Sequence, residues 1–498
     1  MASTFGGLNI MTLGMSAQQL SQNTTGHNVA NSKTDGYSRQ TVNLITTTPQ
    51  QIYTANGMSV AGTGVTTASI TRARDFLVDT QYWQKNATKN YWSTQGEVLA
   101  KVENVFNDTK NTGIQNAIEL FHTALGTLAS NAGEPSARTS AREAASALVE
   151  TMKTSGNNLV SQANDASSRI DTQITQVNSV SKQIAALNKQ IVSQEATGAT
   201  ANDLRDQRDK LVDELSAFTE VNVSEEKNGS YTVMIAGGIS LVQGDHATEL
   251  TVEHGRNTPY GYDTTKVTAL NGTVNVSFKN GSIASLTNLR DTTINGYLAD
   301  LDAMAQSLLQ DFNAQHKQGK TKDLNAADNF FGESFGTAST VNDYATGGAN
   351  DPTVQTSPAS WLSILKVNED FYGTDGYNLI AAAGSSAAGS ADGTTATALK
   401  NWLVDDPATA SASLGKNSLS SYYGSIVSSA GVQTQQAKNM TTNQTVIFDS
   451  VATTRQSVSG VSMDEELSNM IKFQQAYAAC GKMLATMDSM LDSLINIR

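Results

Sequence analysis

The sequence predicts a multidomain, mainly α-helical protein with one inserted β domain. Three observations lead to this prediction: an apolar heptad fills the C-terminal segment, the first 32 residues carry no charged side chain, and the hydrophobic period changes from helical to strand-like between residues 219 and 290. We therefore expect paired N- and C-terminal helices in a coiled-coil-like inner domain, a long helical-bundle middle domain and an inserted all-β outer domain.

The N-terminal segment predicts a helix of low intrinsic stability. Leu8, Met11 and Met15 recur at helical spacing and form a short apolar stripe. Several glycines interrupt this segment, and each costs about 1 kcal/mol relative to alanine inside a helix. We expect residues 1–30 to be disordered in the free chain and helical when they are buried.

The pattern then changes twice before the middle of the chain. Alternating residues and a Gly/Thr-rich stretch predict extended chain and hairpins from Gly36 to Val65. Helical periodicity returns near Arg72 and continues to about residue 217, with breaks at 111–113 and 133–135.

Two features stand out within this helical stretch. Residues 170–191 carry apolar side chains at a mean period of 3.5, which predicts a helix packed lengthwise against another helix. The charged string at 205–210 has mixed-sign residues three and four apart, a pattern typical of a solvent-exposed helix face. We interpret the string in that way.

The segment from residue 219 to 290 reads as a β domain. Its apolar residues alternate on one face, namely Val221, Val223, Tyr231, Val233, Ile235, Val274, Val276 and Phe278. The dipeptides Asn228-Gly229 and Asn280-Gly281 predict two-residue hairpin turns, and Gly237-Gly238 predicts another. Helix is expected to resume at Asn295.

The C-terminal part begins with a loop-rich stretch and ends in two helices. Residues 319–416 are rich in Gly, Ala, Ser and Thr and predict loops and short elements, and a long helix is expected at about 417–456. Ser459-Gly460 marks a joint before the terminal helix. The expected domains are 1–44 with 457–498 as the inner terminal-helix domain, 45–217 with 295–335 and 417–456 as the helical domain, and 218–294 as the β domain. Residues 336–416 are a loop-rich region whose fold the sequence does not determine.

The terminal helix carries the clearest apolar stripe in the chain. Its heptad positions are Met470, Phe473, Tyr477, Cys480, Leu484, Met487, Leu491 and Leu494. Because Cys480 lies in the stripe, we interpret it as a small buried hydrophobe rather than a reactive thiol. Ser462 and Glu465 fit a capping box, so we interpret Asp464, Glu465 and Glu466 as a helix N-terminus signature.

Composition argues against several classes of function. The chain has 33 basic and 46 acidic residues and a formal net charge of −13, which repels nucleic acid and anionic membranes. No positively charged region with an apolar core opens the sequence, so we expect no cleaved signal peptide. The apolar stretches are interrupted before the ~18 residues that a spanning helix needs, so we expect no membrane span. We predict no nucleic-acid or membrane partner.

Motifs for catalysis, metals or cofactors are lacking. The five histidines have no spacing that places two imidazoles on one helix face, and the single cysteine excludes a cysteine cluster. Gly319-Lys320-Thr321 lacks the first glycine of a phosphate-binding loop. We therefore predict that the protein is not an enzyme and needs no cofactor, metal ligand or catalytic residue.

Both ends of the chain carry short motifs, with Asn28 and Asn31 followed by Gly36, Tyr37 and Arg39 near the N-terminus and the segment 459–466 near the C-terminus. By these motifs the chain resembles the flagellar axial family of rod, hook and hook-associated proteins. At the C-terminal end the segment 459–466, with Asp464 and Glu465, resembles the family's terminal signature, as do 472–477 and 494–498. Interior segments 203–211, 240–244 and 312–316 resemble the hook-associated members of that family.

The resemblance implies a structural component of the bacterial flagellum. Such proteins pair their termini in the innermost domain and form an adapter ring between hook and filament that permits filament assembly. The implied partners are the flagellar hook protein, the second junction protein (hook-associated protein 3), further copies of the same chain and a dedicated export chaperone. The implied location is the extracellular flagellum, reached by type III export without signal cleavage.

From the apolar pattern, we expect an assembly interface formed by the terminal stripes: Leu8, Met11, Met15, Met470, Phe473, Tyr477, Leu484, Met487, Leu491 and Leu494. Two alternatives stay open. A hook or distal rod protein shares the terminal motifs, and a secreted adhesin or enzyme would use the unmatched residues 336–416.

Overall fold

The computed structural model describes residues 4–54, 57–106, 112–235, 237–333, 360–405 and 414–495. The α-helices there are α1 (Thr4–Asn31), α2 (Phe76–Val105), α3 (Ile114–Ser130), α4 (Pro135–Glu195), α5 (Asn202–Phe218), α6 (Gly281–Asn288), α7 (Asn295–Ser307), α8 (Asn313–Lys317), α9 (Trp361–Ile364), α10 (Thr394–Val404), α11 (Leu419–Ser459) and α12 (Met463–Ile495). The strands are β1 (Gln40–Thr46), β2 (Gln50–Thr54), β3 (Gly57–Ala61), β4 (Val65–Arg72), β5 (Val221–Glu225), β6 (Tyr231–Ile235), β7 (Ile239–Gln243), β8 (His246–Ala247), β9 (Leu250–Arg256), β10 (Asp263–Ala269) and β11 (Val274–Asn275). This mainly helical chain with separate antiparallel sheets confirms the predicted fold class.

The body of the molecule is a bundle around the 61-residue helix α4. Helix α4 packs on α3 and α5, while α2 packs on α11 and α6. The predicted breaks are real, since Gly113 precedes α3 and Pro135 opens α4, where its missing N–H removes no helical hydrogen bond. Ile170, Ile174 and Val177 are buried, as a helix packed along its length requires.

A second helical run begins earlier than the sequence indicates. Helix α6 starts at Gly281 and continues through π-helical turns at Leu289–Ile294 and Leu308–Phe312 into α7 and α8. The expectation of a hairpin at Asn280-Gly281 was therefore wrong. Asn280 precedes the helix, and Gly281 has φ +87° with the backbone of Phe218 where a Cβ would lie. The dipeptide needs positive φ for a helix start, which the sequence pattern does not distinguish from a turn.

The strands after α5 form a four-stranded sheet, β5-β6-β7-β8, and a three-stranded sheet, β11-β10-β9. Val223, Tyr231 and Val233 are buried, as the alternation predicts. Gly229 has φ +83° in the β5–β6 hairpin, but Glu226 donates to the carbonyl of Ser230, so the turn is longer than two residues. The predicted strand around Val276 is also shortened, because β11 covers only Val274–Asn275.

A long antiparallel hairpin connects α1 to the body. Strands β1 and β4 pair from Gln40 opposite Arg72 to Thr46 opposite Val65, and β2 pairs with β3 beyond them. The expected domain boundary between residues 44 and 45 therefore falls inside β1. Hairpins in this stretch agree with the predicted extended chain.

The described part of residues 336–416 is not all loop. Helix α10 and a short turn at α9 pack Leu399, Leu403 and Leu365 into the main core. The buried His316 ties this region down: one ring nitrogen lies 2.7 Å from the carbonyl of Asp328, and the other accepts from the N–H of Ala381 at 2.8 Å. The remaining residues of the range, 336–359 and 406–413, lie outside the described residues.

Candidate functional site: the joint between the terminal helix pair and the body

Helices α1 and α12 pair along a seam of constant antiparallel register. A Cβ on Gly7 would collide with the side chain of Met487, and a Cβ on Gly14 would lie 3.3 Å from the sulfur of Cys480. Asn28 then contacts Glu466. When the residue number on α1 increases by seven or fourteen, the number of the facing residue on α12 decreases by the same amount, as in an antiparallel coiled coil.

The seam joins small residues on α1 to large residues on α12. On α1 the most buried positions are Gly14, Ala17, Ser21, Thr24, Thr25 and Asn28. On α12 the predicted stripe residues Met470, Phe473, Tyr477, Cys480, Leu484, Met487 and Leu491 are half-buried; the side chain of Leu494 lies outside the described residues. Large side chains therefore fill the space that glycine, alanine and serine leave.

The predicted N-terminal stripe lies beside this seam rather than on it. Leu8 and Met15 each follow a seam glycine by one residue, and both are half-buried, as is Met11. The seam of α1 was missed because small and hydroxyl side chains carry little hydropathy signal. Its trace in the sequence is the seven-residue spacing of Gly7, Gly14, Ser21 and Asn28.

A group of polar side chains, here called the clasp, closes the seam where it meets the body. The clasp consists of Asn28, Tyr37, Arg39, Gln40 and Glu466. The amide of Asn28 is 1% exposed, and each of its hydrogen-bonding positions has a partner. Its nitrogen donates to the carbonyl of Gln40 and to Glu466, both at 2.9 Å. Its oxygen accepts from the Gln40 N–H at 2.9 Å and from the Tyr37 hydroxyl at 2.7 Å.

Arg39 connects three parts of the chain through the clasp. Its Nε lies 2.7 Å from a carboxylate oxygen of Glu466, and its Nη1 lies 3.5 Å from Glu465. Its backbone N–H donates to the carbonyl of Ser459 at 2.9 Å. Arg39 therefore fixes the end of α11 and the start of α12 against β1.

The remaining motif residues shape the path into the clasp. Gly36 has φ +85°, and a Cβ there would lie 3.3 Å from the Cβ of Lys210. Both facts favour glycine at this position. Asn31 ends α1, donating to the carbonyl of His27 at 3.1 Å. Burial, and after it the negative charges of Asp203, Asp206 and Glu466, raises the pKa of Tyr37.

The acidic residues at the start of α12 have unequal roles. Asp464 and Glu465 are exposed, whereas Glu466 is 2% exposed and bound to Arg39 and Asn28. All three lie in the first turn of α12, as the predicted helix N-terminus signature requires, but Glu466 additionally bonds to Asn28 and Arg39 across the joint. Glu466 precedes Met470 by four residues and so continues the heptad row, which is the signal that identifies it.

A second polar cluster, here called the ion node, lies behind the clasp. The ion node consists of Arg72, Arg74, Asp79, Asp206, Asp209, Asp213 and Arg455. Arg72 bridges Asp206 at 2.6 Å and Asp209 at 2.8 Å through one guanidinium nitrogen. Arg74 lies 2.9 Å from Asp79 and 3.5 Å from Asp209. The node joins β4, α2, α5 and α11 by charge.

Burial and charge oppose each other in the ion node. Burial raises the pKa of Asp206, although Arg72 acts in the opposite direction. Burial is also the largest effect on Asp209, but Arg72, Arg74 and Arg208 outweigh it and lower the pKa of that carboxyl. The guanidinium neighbours therefore favour the charged form of Asp209, whereas burial outweighs them at Asp206.

This arrangement corrects our interpretation of the charged string at 205–210 as a solvated face. Asp206 is 6% exposed, Asp209 is 1% exposed, and the guanidinium of Arg208 lies fully buried 3.3 Å from the ring centre of Tyr231. A signal was present in the sequence. Asp206, Asp209 and Asp213 recur three and four residues apart, as an inward-facing stripe does, in a chain with only 16% charged residues.

The described part of the chain offers no arrangement for chemistry. No group of three or more His, Cys, Asp or Glu side chains there is placed to hold a metal ion. No helix among the described residues is long and apolar enough to cross a membrane. The clasp and the ion node are built of charge pairs and buried hydrogen bonds, which position helices.

A helix pair formed by the two terminal segments and fixed on a helical body has the architecture of a structural protein, and comparisons with known proteins show the family to which the chain belongs. Residues 99–331 match the family model described as the helical domain of flagellar hook-associated protein FlgK. Residues 454–497 match the model described as the C-terminal part of flagellar basal body rod FlgEFG protein.

Curated relatives match over nearly the full length. The chain is 31% identical to flagellar hook-associated protein 1 of Bacillus subtilis (strain 168), with 100% of this chain and 99% of the relative covered. It is 27% identical to flagellar hook-associated protein 1 of Escherichia coli (strain K12), with 99% of each covered. The chain belongs to the flagellar hook-associated protein 1 family. It is a structural component of the flagellum and not an enzyme.

A solved structure shows the same fold. The flagellar hook junction protein FlgK from Burkholderia pseudomallei superposes with a TM-score of 0.62 at 19% sequence identity, covering 76% of this chain and 100% of that one. The family models and the curated relatives confirm the predicted membership in the flagellar axial family.

Proposed function

We propose that this protein joins the flagellar hook to the filament as an adapter ring and so permits filament assembly. The observation that carries the proposal is the α1–α12 pair, in which the apolar stripe of α12 is only half-buried. Two helices alone cannot cover each other's apolar surface. The uncovered part is available to the helix pairs of neighbouring subunits.

The exposed side chains of α12 support such contacts on two sides. Met463, Leu467 and Ile471 follow one another at steps of four and are 42, 47 and 60% exposed. Met483 and Met490 are seven apart and are 52 and 62% exposed. At 100° per residue these sets lie on opposite flanks of the seam. Two different apolar flanks suit head-to-tail contacts, which close into rings or extend along a tube.

The proposed assembly interface therefore keeps the residues predicted from the sequence. Leu8, Met11 and Met15 lie beside the seam on α1, and the stripe from Met470 to Leu494 lies on α12. We also retain the predicted domain division as part of the proposal, with residues 1–44 and 457–498 as the inner domain.

Partners and route follow from the family. The proposed partners are the hook protein at one end of the ring, hook-associated protein 3 at the other, further copies of this chain and a cytoplasmic export chaperone. The proposed route is flagellar type III export to the extracellular flagellum without signal cleavage. An uncharged α1 whose seam is rich in glycine supports this route, because such a helix gains its stability only by pairing.

The test is genetic and uses the full chain. A strain that lacks this gene would be complemented with wild type, Met487→Asp or Thr486→Asp, and examined by electron microscopy with an assay for flagellin in the medium. Met487 is half-buried in the seam, whereas its neighbour Thr486 is exposed, so the two variants add the same charge in different places. We expect Thr486→Asp to restore filaments and Met487→Asp to leave complete hooks without filaments.

Three results would contradict the proposal. Missing hooks in the deletion strain would indicate a hook or rod subunit. Intact filaments in that strain would remove the protein from the axial structure. Normal filaments with Met487→Asp would show that the seam is not needed for assembly.

A further inference from the structure

The two halves of α11 are attached to the body in different ways. All residues of α11 are described, and its buried apolar side chains are Leu419, Tyr423, Ile426, Ala430 and Ala437. None of them lies beyond Ala437. In the second half, Val446 is 65% exposed and Ile447 and Val458 are each 40% exposed. Core packing therefore holds the first half of the helix and not the second.

Specific polar and aromatic contacts attach the second half instead. The Thr441 hydroxyl donates to the carbonyl of Trp92 at 2.9 Å, and the ring of Phe448 lies 4.9 Å from that of Tyr82. One turn before the end of α11, Arg455 reaches into the ion node. Together with the Arg39 N–H that donates to the carbonyl of Ser459, these contacts hold the second half of α11 on the body.

Arg455 is placed between two carboxylates of the body. Its Nε lies 2.7 Å from Asp79 on α2, and its Nη1 lies 2.8 Å from Asp213 on α5. The guanidinium also lies 4.2 Å from the ring centre of Tyr82. Its side chain is 12% exposed, while those of Asp79 and Asp213 are 5% and 19% exposed. This is a largely desolvated ion triad.

The carboxylates depend on Arg455 to different degrees. Asp79 also binds Arg74 at 2.9 Å. Asp213 has as its other partner the neutral Trp83, whose indole N–H donates at 2.7 Å. Without Arg455, Asp213 would be a buried carboxylate without a cation in contact, which is strongly unfavourable.

We propose that Arg455 is a latch that holds residues 438–459 on the body, and that removing it loosens this half-helix while residues 419–437 stay packed. Residues near 438 then act as the hinge. The latch is a property of the free chain, so it stands or falls separately from the proposed junction role. It would set the position of the α1–α12 pair relative to the body.

Hydrogen–deuterium exchange of the purified full chain tests the latch. Peptides from 441–459 are compared with peptides from 419–437 in wild type, Arg455→Met and Asp449→Met, the last being an exposed charged residue on the same half-helix. We expect Arg455→Met to speed exchange in 441–459 on the order of 100-fold, with little change in 419–437. Asp449→Met should change neither peptide.

A rescue variant separates charge from packing. In the triple variant Asp79→Asn, Asp213→Asn, Arg455→Met no carboxylate is left facing the missing cation, so protection of 441–459 should return in large part. The latch is refuted if Arg455→Met leaves 441–459 unchanged, if it speeds both peptides equally, or if the triple variant exchanges as fast as Arg455→Met.

Discussion

Replacing Glu466 by alanine is the most direct test of the clasp. The change removes the carboxylate that accepts from Asn28 and binds Arg39. One donor of the Asn28 amide, which is 1% exposed, then loses its partner. A buried polar group left without a partner costs about 1–3 kcal/mol.

The lost ion pair adds a smaller amount. The Arg39 side chain is 26% exposed and already lies 3.5 Å from Glu465, so water and Glu465 can compensate part of its charge. We discount the usual 3–5 kcal/mol for breaking a buried pair to about 1 kcal/mol for this reason. The total expected loss for opening the helix pair is about 2–4 kcal/mol, which corresponds to roughly 30-fold to 1,000-fold faster exchange.

Amide hydrogen exchange of residues 4–31 and 463–495 in the full chain measures this loss, since a pair at the chain ends opens without unfolding the body. Asp464→Ala is the matched control, because Asp464 is exposed two positions away in the same helical turn. Its effect should stay within about 0.5 kcal/mol. If Glu466→Ala and Asp464→Ala gave equal exchange rates in these helices, the clasp would not hold the pair.

Three further changes probe the seam, the core and the start of α6. Gly14→Leu should overpack the seam against Cys480 and weaken the α1–α12 pair by about 1–3 kcal/mol in hydrogen exchange, whereas Gly26→Leu, with no atom near its Cβ, should not. His316→Gln should remove a pH dependence of the free energy of unfolding. Burial lowers the pKa of His316 to about 4, so the unfolded chain takes up a proton first, and wild type should lose about 3 kcal/mol of stability as the pH falls from about 6.5 to 4. Equal pH profiles of the two proteins in denaturant melts would refute this expectation. Gly281→Ala should lower the melting temperature, because the residue has φ +87° and no room for a Cβ, while Gly296→Ala, inside α7 and with open space, should raise it slightly.

Apolar periodicity identified much of the fold, and its limits are physical. The stripe on α12 was predicted residue by residue because its large side chains carry a strong hydropathy signal. The opposing seam on α1 was missed because close packing there selects small residues such as Gly14 and Ala17. A helix face that is buried because its side chains are small is not detected by a hydrophobicity scale.

Charge was the second limit. The mixed charges at 205–210 match a solvated helix face in composition, but the positions of Asp206 and Asp209 place them inward. Their cations, Arg72 and Arg74, come from a distant part of the chain, so a local window does not contain the pairs that make burial favourable. The Asn280-Gly281 error has the same origin, since positive φ at Gly281 is set by contact with Phe218.

The clasp also explains why the helix pair has one register. A heptad seam alone tolerates a slip of seven residues, because apolar side chains would still meet small ones. Such a slip would place Phe473 opposite Asn28 and leave at least one buried amide donor unpaired, at about 1–3 kcal/mol. A slip of seven residues in the opposite direction would oppose Glu466 to Ser21 and move it away from Arg39, leaving a carboxylate in the seam without its cation. Polar groups at the base of the pair therefore select the register, while the apolar seam supplies the attraction.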